Sequence, residues 1–141
     1  MEKLIIHTDG GARGNPGPAG IGVVITDEKG NKVRELSSYI GRATNNYAEY
    51  EALVRALQEV KNIFGEKLRE MLIEVRMDSE LAVKQLSGLY RVKEGGLKEQ
   101  FARIAMFRLA DAPNMVFIHI PREKNTRADE LVNQAIDAAQ E

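Results

Sequence analysis

The sequence predicts an α/β domain: one mixed β-sheet with helices packed on it. Three observations predict it. Short apolar runs bounded by Gly, Asn and Pro recur up to residue 40. The spacing then switches, over 45–64, to the three-and-four rhythm of an amphipathic helix. Beyond that point strand-like and helical segments alternate, giving the order βββ, α, β, α, α, β, α.

The opening strand is the apolar run Leu4-Ile5-Ile6-His7-Thr8. It leads into "TDGGARGNPGPAG" (8–20), which reads as a loop of about ten residues before Ile21-Gly22-Val23-Val24-Ile25 resumes a strand. An ordinary hairpin needs only about two to five loop residues. A loop this long and glycine-rich implies that its backbone comes close to something. Residues 20–27 and 32–40 form the second and third strands around the turn Asp27–Asn31, an antiparallel meander. Ala48, Ala52, Leu53, Ala56, Leu57, Val60 and Phe64 mark the apolar face of a helix over 45–64, stopped by Gly65.

Leu72 to Met77 alternates as a strand does, and a short helix follows from Ser79 to Leu86. Gly95-Gly96 precedes a second amphipathic helix over 97–109, which Ala112-Pro113-Asn114 breaks. Met115 to Ile120 is the last strand and 126–139 the last helix. No repeat, low-complexity tract or long linker divides the chain, so residues 1–141 are expected to form a single domain.

Composition narrows the function classes. Apolar residues at 43 % and charged residues at 29 % make a soluble, globular balance. No stretch approaches the ~20 apolar residues that span a bilayer, and no leader pattern opens the chain. No cysteine is present, which excludes disulfides and thiolate metal sites and makes the cytoplasm the expected compartment. The net charge of −1 speaks mildly against nonspecific electrostatic grip on nucleic acid, although clustered acids would mask basic patches elsewhere.

Four acids recur at strand ends or helix starts. Asp9 closes the first strand, Asp78 closes the fourth, and Glu49 and Asp129 fall in the first turns of helices. Strand ends and helix starts meet on one rim of an α/β sheet, where such folds bind ligands. Carboxylates gathered there would repel one another without cations, and oxygen-rich acidic sites suit Mg²⁺ or Mn²⁺. Two such ions can stabilise the attacking and leaving oxygens of a phosphodiester displacement. Each acid also has a plainer reading. Asn46–Glu49 and Thr126–Asp129 fit capping boxes, Asp78 fits a helix cap, and Asp9 before glycine fits a turn.

Taken together, four blocks resemble the motifs of type I ribonuclease H, in that family's order and across nearly the whole chain. They are "TDGGARGNPGPAGIG" (8–22), "TNNYAEYEAL" (44–53), "MDSELAV" (77–83) and "NTRADELVNQA" (125–135). The resemblance implies a ribonuclease H-like fold: a five-stranded mixed sheet, three antiparallel strands then two parallel, with helices on both faces. It implies a metal-dependent endonuclease that cuts the RNA strand of RNA–DNA hybrids, leaving 5′-phosphate and 3′-hydroxyl ends. Asp9, Glu49, Asp78 and Asp129 match the catalytic, metal-binding carboxylates, which hold two ions, Mg²⁺ or Mn²⁺. Asp9 and Asp78 would bridge or flank the metals, Glu49 would also meet the ribose, and Asp129 would complete the second site. Gly10, Gly11, Asn15, Asn45 and Asn46 match positions that contact the hybrid, and Thr44 sits where a DNA-phosphate pocket is built. The glycines would let backbone amides approach the nucleic acid. The asparagines also suit turn and cap duty.

The match departs from the family in two places. His119 lies ten residues before Asp129, the spacing of a family histidine implicated in proton transfer or product release. Yet "VFIHIPRE" puts His119 inside a strand, and aligning the strands brings Glu123 to that position instead. His119 is expected to be structural, as is His7 in the first strand. The segment 88–110 lacks the basic protrusion of some bacterial members, and the N-terminal hybrid-binding module of others is not expected. Arg91, Lys93, Lys98 and Arg103 read as a solvated face rather than a substrate-gripping strip.

Two functions from different classes follow. One is the hybrid-specific nuclease, acting as a monomer; the other is a non-catalytic hybrid-binding or interaction module on the same fold. Retention of all four acids favours the enzyme. The Gly-Asn-Pro-Gly-Pro loop and the Thr-Asn-Asn block favour the hybrid-specific branch over the integrases and resolvases that share the fold.

Overall fold

A computed structural model of the chain describes residues 2–88, 91–92 and 95–140. Among the described residues five strands form one sheet: β1 (Lys3–Ala12), β2 (Gly17–Asp27), β3 (Lys32–Ala43), β4 (Leu72–Met77) and β5 (Met115–His119). Their spatial order is β3-β2-β1-β4-β5. β1 pairs antiparallel with β2, and β2 with β3, while β4 lies parallel to both β1 and β5. The helices are α1 (Asn45–Phe64), α2 (Glu80–Leu86), α3 (Gly95–Ala110) and α4 (Thr126–Ala139). The order and the mixed sheet are those expected, and α1, β4 and α4 have the predicted boundaries.

The glycine-rich loop is shorter than the sequence suggests. β1 continues through Asp9, Gly10 and Gly11 to Ala12, with Gly10 opposite Ile21 and Gly11 opposite Gly20. Only residues 13–16 are left to turn the chain, with Gly14 at φ +91° and Arg13 N donating to the Pro18 carbonyl at 2.9 Å. Glycine is a poor strand former, which is why the composition read as loop. Contacts with the helices override that local preference.

Those helices cover both faces. Leu4 and Ile6 of β1, Ile21, Val23 and Ile25 of β2, and Ile73 and Val75 of β4 form the core with Leu53, Leu57 and Val60 of α1. α2 and α3 add Val83, Leu86, Leu97 and Ile104 to the same cluster. Burying each such aliphatic side chain stabilises the fold by roughly 1.5–3 kcal/mol. On the opposite face, Ala128, Leu131, Val132, Ala135 and Ile136 make the buried stripe of α4. Small residues let α4 come close: a Cβ on Gly22 would lie 2.1 Å from the Ala128 carbonyl oxygen. The Ser37 hydroxyl of β3 donates to the Leu131 carbonyl at 2.6 Å and fastens the helix. No helix among the described residues is long and apolar enough to cross a membrane.

Candidate active site

The parallel register of β1 and β4 sets the rim. Thr8 pairs with Met77, so Asp9 and Asp78 each follow the last registered pair and emerge side by side. Asp9 lies within β1 rather than at its end, because β2 extends the pairing beyond β4. Asp78 is not a cap: Ser79 caps α2, its hydroxyl oxygen accepting from Ala82 N at 3.2 Å.

α1 delivers Glu49. Its cap is Thr44, whose hydroxyl oxygen accepts from Tyr47 N at 3.1 Å, so Asn46 and Glu49 form no capping box. The helix lies against β1 where Gly10 has no side chain. A Cβ there would meet the Ala48 carbonyl carbon and oxygen at 2.2 Å and Glu49 N at 2.5 Å. That close approach brings Glu49 to the rim, and one carboxylate oxygen each from Asp9, Glu49 and Asp78 fall within 4.8 Å of one another.

α4 supplies Asp129 from the other side. Asn125 precedes α4 without a side-chain capping bond, and Thr126 is already helical, so the second capping box is absent too. Asp129 lines the same cleft of about 330 Å³ as Asp9, Glu49, Asp78, Gly10, Gly11 and Asn45. It stands outside the tight trio.

Burial first, and mutual repulsion second, raise two of these acids. Burial pushes Asp9 up to about 8, helped by the charges of Asp78, Asp129 and Glu49, against one stabilising hydrogen bond from Gly10 N at 3.0 Å. Burial likewise pushes Glu49 up to about 7, with Asp78 adding to it and the Ser79 hydroxyl and Arg122 charge opposing it. Like charges forced together shift acids this way. A hard divalent cation would relieve the repulsion and match an all-carboxylate donor set. The residues fit such an ion.

The loop and the helix start are laced together beside the acids. Ala12 N donates to Asn45 Oδ1 at 2.8 Å, and Asn45 N donates to Asn15 Oδ1 at 3.1 Å. Asn15 thus satisfies the first amide of α1, a cap-like duty the sequence allowed, while Asn45 ties the end of β1 to the helix. Arg13 turns away along α4, bonded to Asp137 at 2.7 Å, Gln140 at 3.0 Å and Asn133 at 3.2 Å. Gly11 has only ordinary contacts around its Cβ position, the nearest Val132 Cγ1 at 3.8 Å. The tightness at Gly10 is met inside the protein, a different reason for glycine from approach to nucleic acid.

His119 is the exposed last residue of β5, opposite Met77, and does not line the cleft. Glu123 sits exposed in the 3₁₀ turn Arg122–Lys124 and does not line it either. Its neighbour Arg122 does. Arg122 was not among the candidates the sequence offered, although it stands next to Glu123; only the turn shows which of the two side chains faces the cleft. His7 lies along β1, its pKa lowered by burial and by Arg76. Arg91 and Lys98 are exposed, and Arg103 pairs with Glu99 at 2.8 Å, as a solvated face would; Lys93 lies outside the described residues.

A mixed sheet of this order with acids gathered at its rim defines a domain of the reverse transcriptase-like class, and the family model of that description matches residues 7–135. The LC11-RNase H1 structure, isolated from compost by a metagenomic approach, is 67 % identical, with each chain covered completely and a TM-score of 0.95. The same protein in complex with RNA/DNA hybrid gives a TM-score of 0.94 at 66 % identity, covering 98 % of this chain and 99 % of that one. Ribonuclease HI of Halobacterium salinarum is 41 % identical over 97 % of this chain and 66 % of its own length. The bifunctional protein Rv2228c of Mycobacterium tuberculosis is equally similar, but the chain spans only 36 % of it. The chain belongs to the ribonuclease H family.

Proposed function

We propose that this protein is an endonuclease that hydrolyses the RNA strand of RNA–DNA hybrids. The observation that carries the proposal is the convergence of Asp9, Glu49 and Asp78 within 4.8 Å, with Asp129 across the same cleft. The hybrid-bound structure of the similar LC11-RNase H1 supports the choice of substrate.

Asp9, Glu49 and Asp78 would hold divalent cations, Mg²⁺ or Mn²⁺, with Asp129 completing a second position. When bound, such ions lower the pKa of a water and stabilise charge on a departing alkoxide. A water oxygen forms the new bond to phosphorus as the bond to the 3′-oxygen breaks, leaving a 5′-phosphate and a 3′-hydroxyl. Glu49, which shares the cleft with Arg122, would also meet the ribose of the scissile nucleotide. Gly10 and Gly11 offer backbone along one wall, where contacts to 2′-hydroxyls separate RNA from DNA. Asn15, Thr44, Asn45 and Asn46, gathered at the start of α1, would hold the strands. The same reading has the protein acting as a monomer in the cytoplasm, a compartment that suits a cysteine-free chain.

The test is cleavage of an end-labelled RNA–DNA duplex with and without Mg²⁺ or Mn²⁺, beside RNA–RNA and DNA–DNA duplexes. Asp78→Asn, nearly isosteric, is the control. Cutting of the hybrid's RNA alone, at least 100-fold weaker in the variant, is expected. A wild type inactive with both metals that still binds hybrid would establish the non-catalytic module instead.

A further inference from the structure

Asn125 belongs to the fourth sequence block but has no place among the acids. It is the last residue before α4 and is only 1 % exposed. Its Nδ2 donates to the Thr8 carbonyl at 2.9 Å and to Asp78 Oδ2 at 3.1 Å. Both partners can only accept, so the amide must present its NH₂ group to them. The bonds use both of its hydrogens. Its Oδ1 is buried with no hydrogen-bond partner.

A residue chosen for stability would behave differently here. Asparagine at a helix start ordinarily turns its side-chain oxygen onto the free amides of the first turn. Asn125 makes no such bond to α4. Both the missing cap and the unpaired Oδ1 lower stability. What the arrangement achieves instead is a three-way junction. Thr8 immediately precedes Asp9 on β1, Asp78 follows β4, and Asp129 N donates to the Asn125 carbonyl at 3.2 Å one turn into α4.

We propose that Asn125 is a positioning residue for the metal site: its amide fixes the Asp78 carboxylate and holds the start of α4 against β1. The inference rests on the metal-binding reading of the acids. Hydrogen bonds to ligating carboxylates orient them, and losing one typically weakens metal binding by about 10- to 100-fold.

Asn125→Ser separates positioning from folding, because serine is a good helix cap yet cannot reach both partners. Mn²⁺ binding to the protein without nucleic acid, followed by the electron paramagnetic resonance of the free ion, is the readout. The serine variant is expected to melt within a few degrees of wild type and to bind Mn²⁺ about 10-fold or more weakly. Its KM for hybrid at saturating metal should stay within about twofold of wild type. A folded variant with wild-type Mn²⁺ affinity overturns the proposal. If the variant does not fold, wild type reports directly: the Asn125 side-chain NH₂ resonances should shift on saturation with Mg²⁺, and unmoved resonances overturn the proposal. A wild type that binds no Mn²⁺ overturns the metal reading itself, and this inference with it.

Discussion

Gly10 and Glu49 occupy the space that one methyl group would need. A Cβ on Gly10 would lie 2.5 Å from Glu49 N and 2.2 Å from the Ala48 carbonyl group, so α1 reaches β1 only because Gly10 has no side chain. The same device recurs where Gly22 admits α4 at Ala128. Two glycines thus set the depth of the two helices that carry Glu49 and Asp129.

Gly10→Ala should therefore be costly. Backbone atoms of α1 cannot swing aside as a flexible side chain can, and the expected loss is about 2–4 kcal/mol. Gly11→Ala, whose Cβ would meet only ordinary contacts, should change stability by less than about 1 kcal/mol. Denaturant unfolding of the two variants checks the contrast. Equal destabilisation would sink this account of the glycines.

The raised acids give the metal-free protein a distinctive pH dependence. Burial, then the neighbouring charges, takes Asp9 to about 8 and Glu49 to about 7, against about 4 in an unfolded chain. Between those values the folded protein keeps protons that the unfolded chain releases, so stability falls as pH rises from about 4 towards 8. Melting should occur at lower temperature at pH 8 than at pH 5, and Mg²⁺ should reverse much of the loss. Asp9→Asn should raise the pH 8 melting temperature by on the order of 5 °C and do little at pH 5. Calorimetry across the range is the measurement, and a flat profile would contradict the buried-charge account.

Arg122 is the cation that opposes the upward shift of Glu49. Replacing it with Ala should move the Glu49 carboxyl titration higher still, read by ¹³C resonance in the metal-free protein. Activity on hybrid should fall about 10-fold or more, the effect of losing a charge held at a reaction centre. A titration unchanged in Arg122→Ala would show that the guanidinium does not act on Glu49.

His119 and Glu123 offer the opposite expectation. Neither lines the cleft, so His119→Ala and Glu123→Gln should keep turnover within about threefold of wild type. A 100-fold loss in either would mean that hybrid binding rearranges the turn after β5.

Much of this protein was legible before folding was considered. The three-and-four spacing of Ala48 to Phe64 determined α1, and the alternation of Leu72 to Met77 determined β4, because each period is a local property of the backbone. The four acids stood out by position at element ends, and their order matched a family. What only the tertiary structure decided is who meets whom. Local preference makes "GGARGNPGPAG" a loop, whereas two helices pressing on a sheet make most of its glycines strand. Asn125 opens the fourth sequence block with no role of its own there; its partners appear only where β1, β4 and α4 converge on its amide. Likewise, a one-residue difference in a 3₁₀ turn turns Arg122 into the cleft and leaves Glu123 outside. Periodicity is written in neighbours along the chain; contact across more than a hundred residues is settled only when the elements pack.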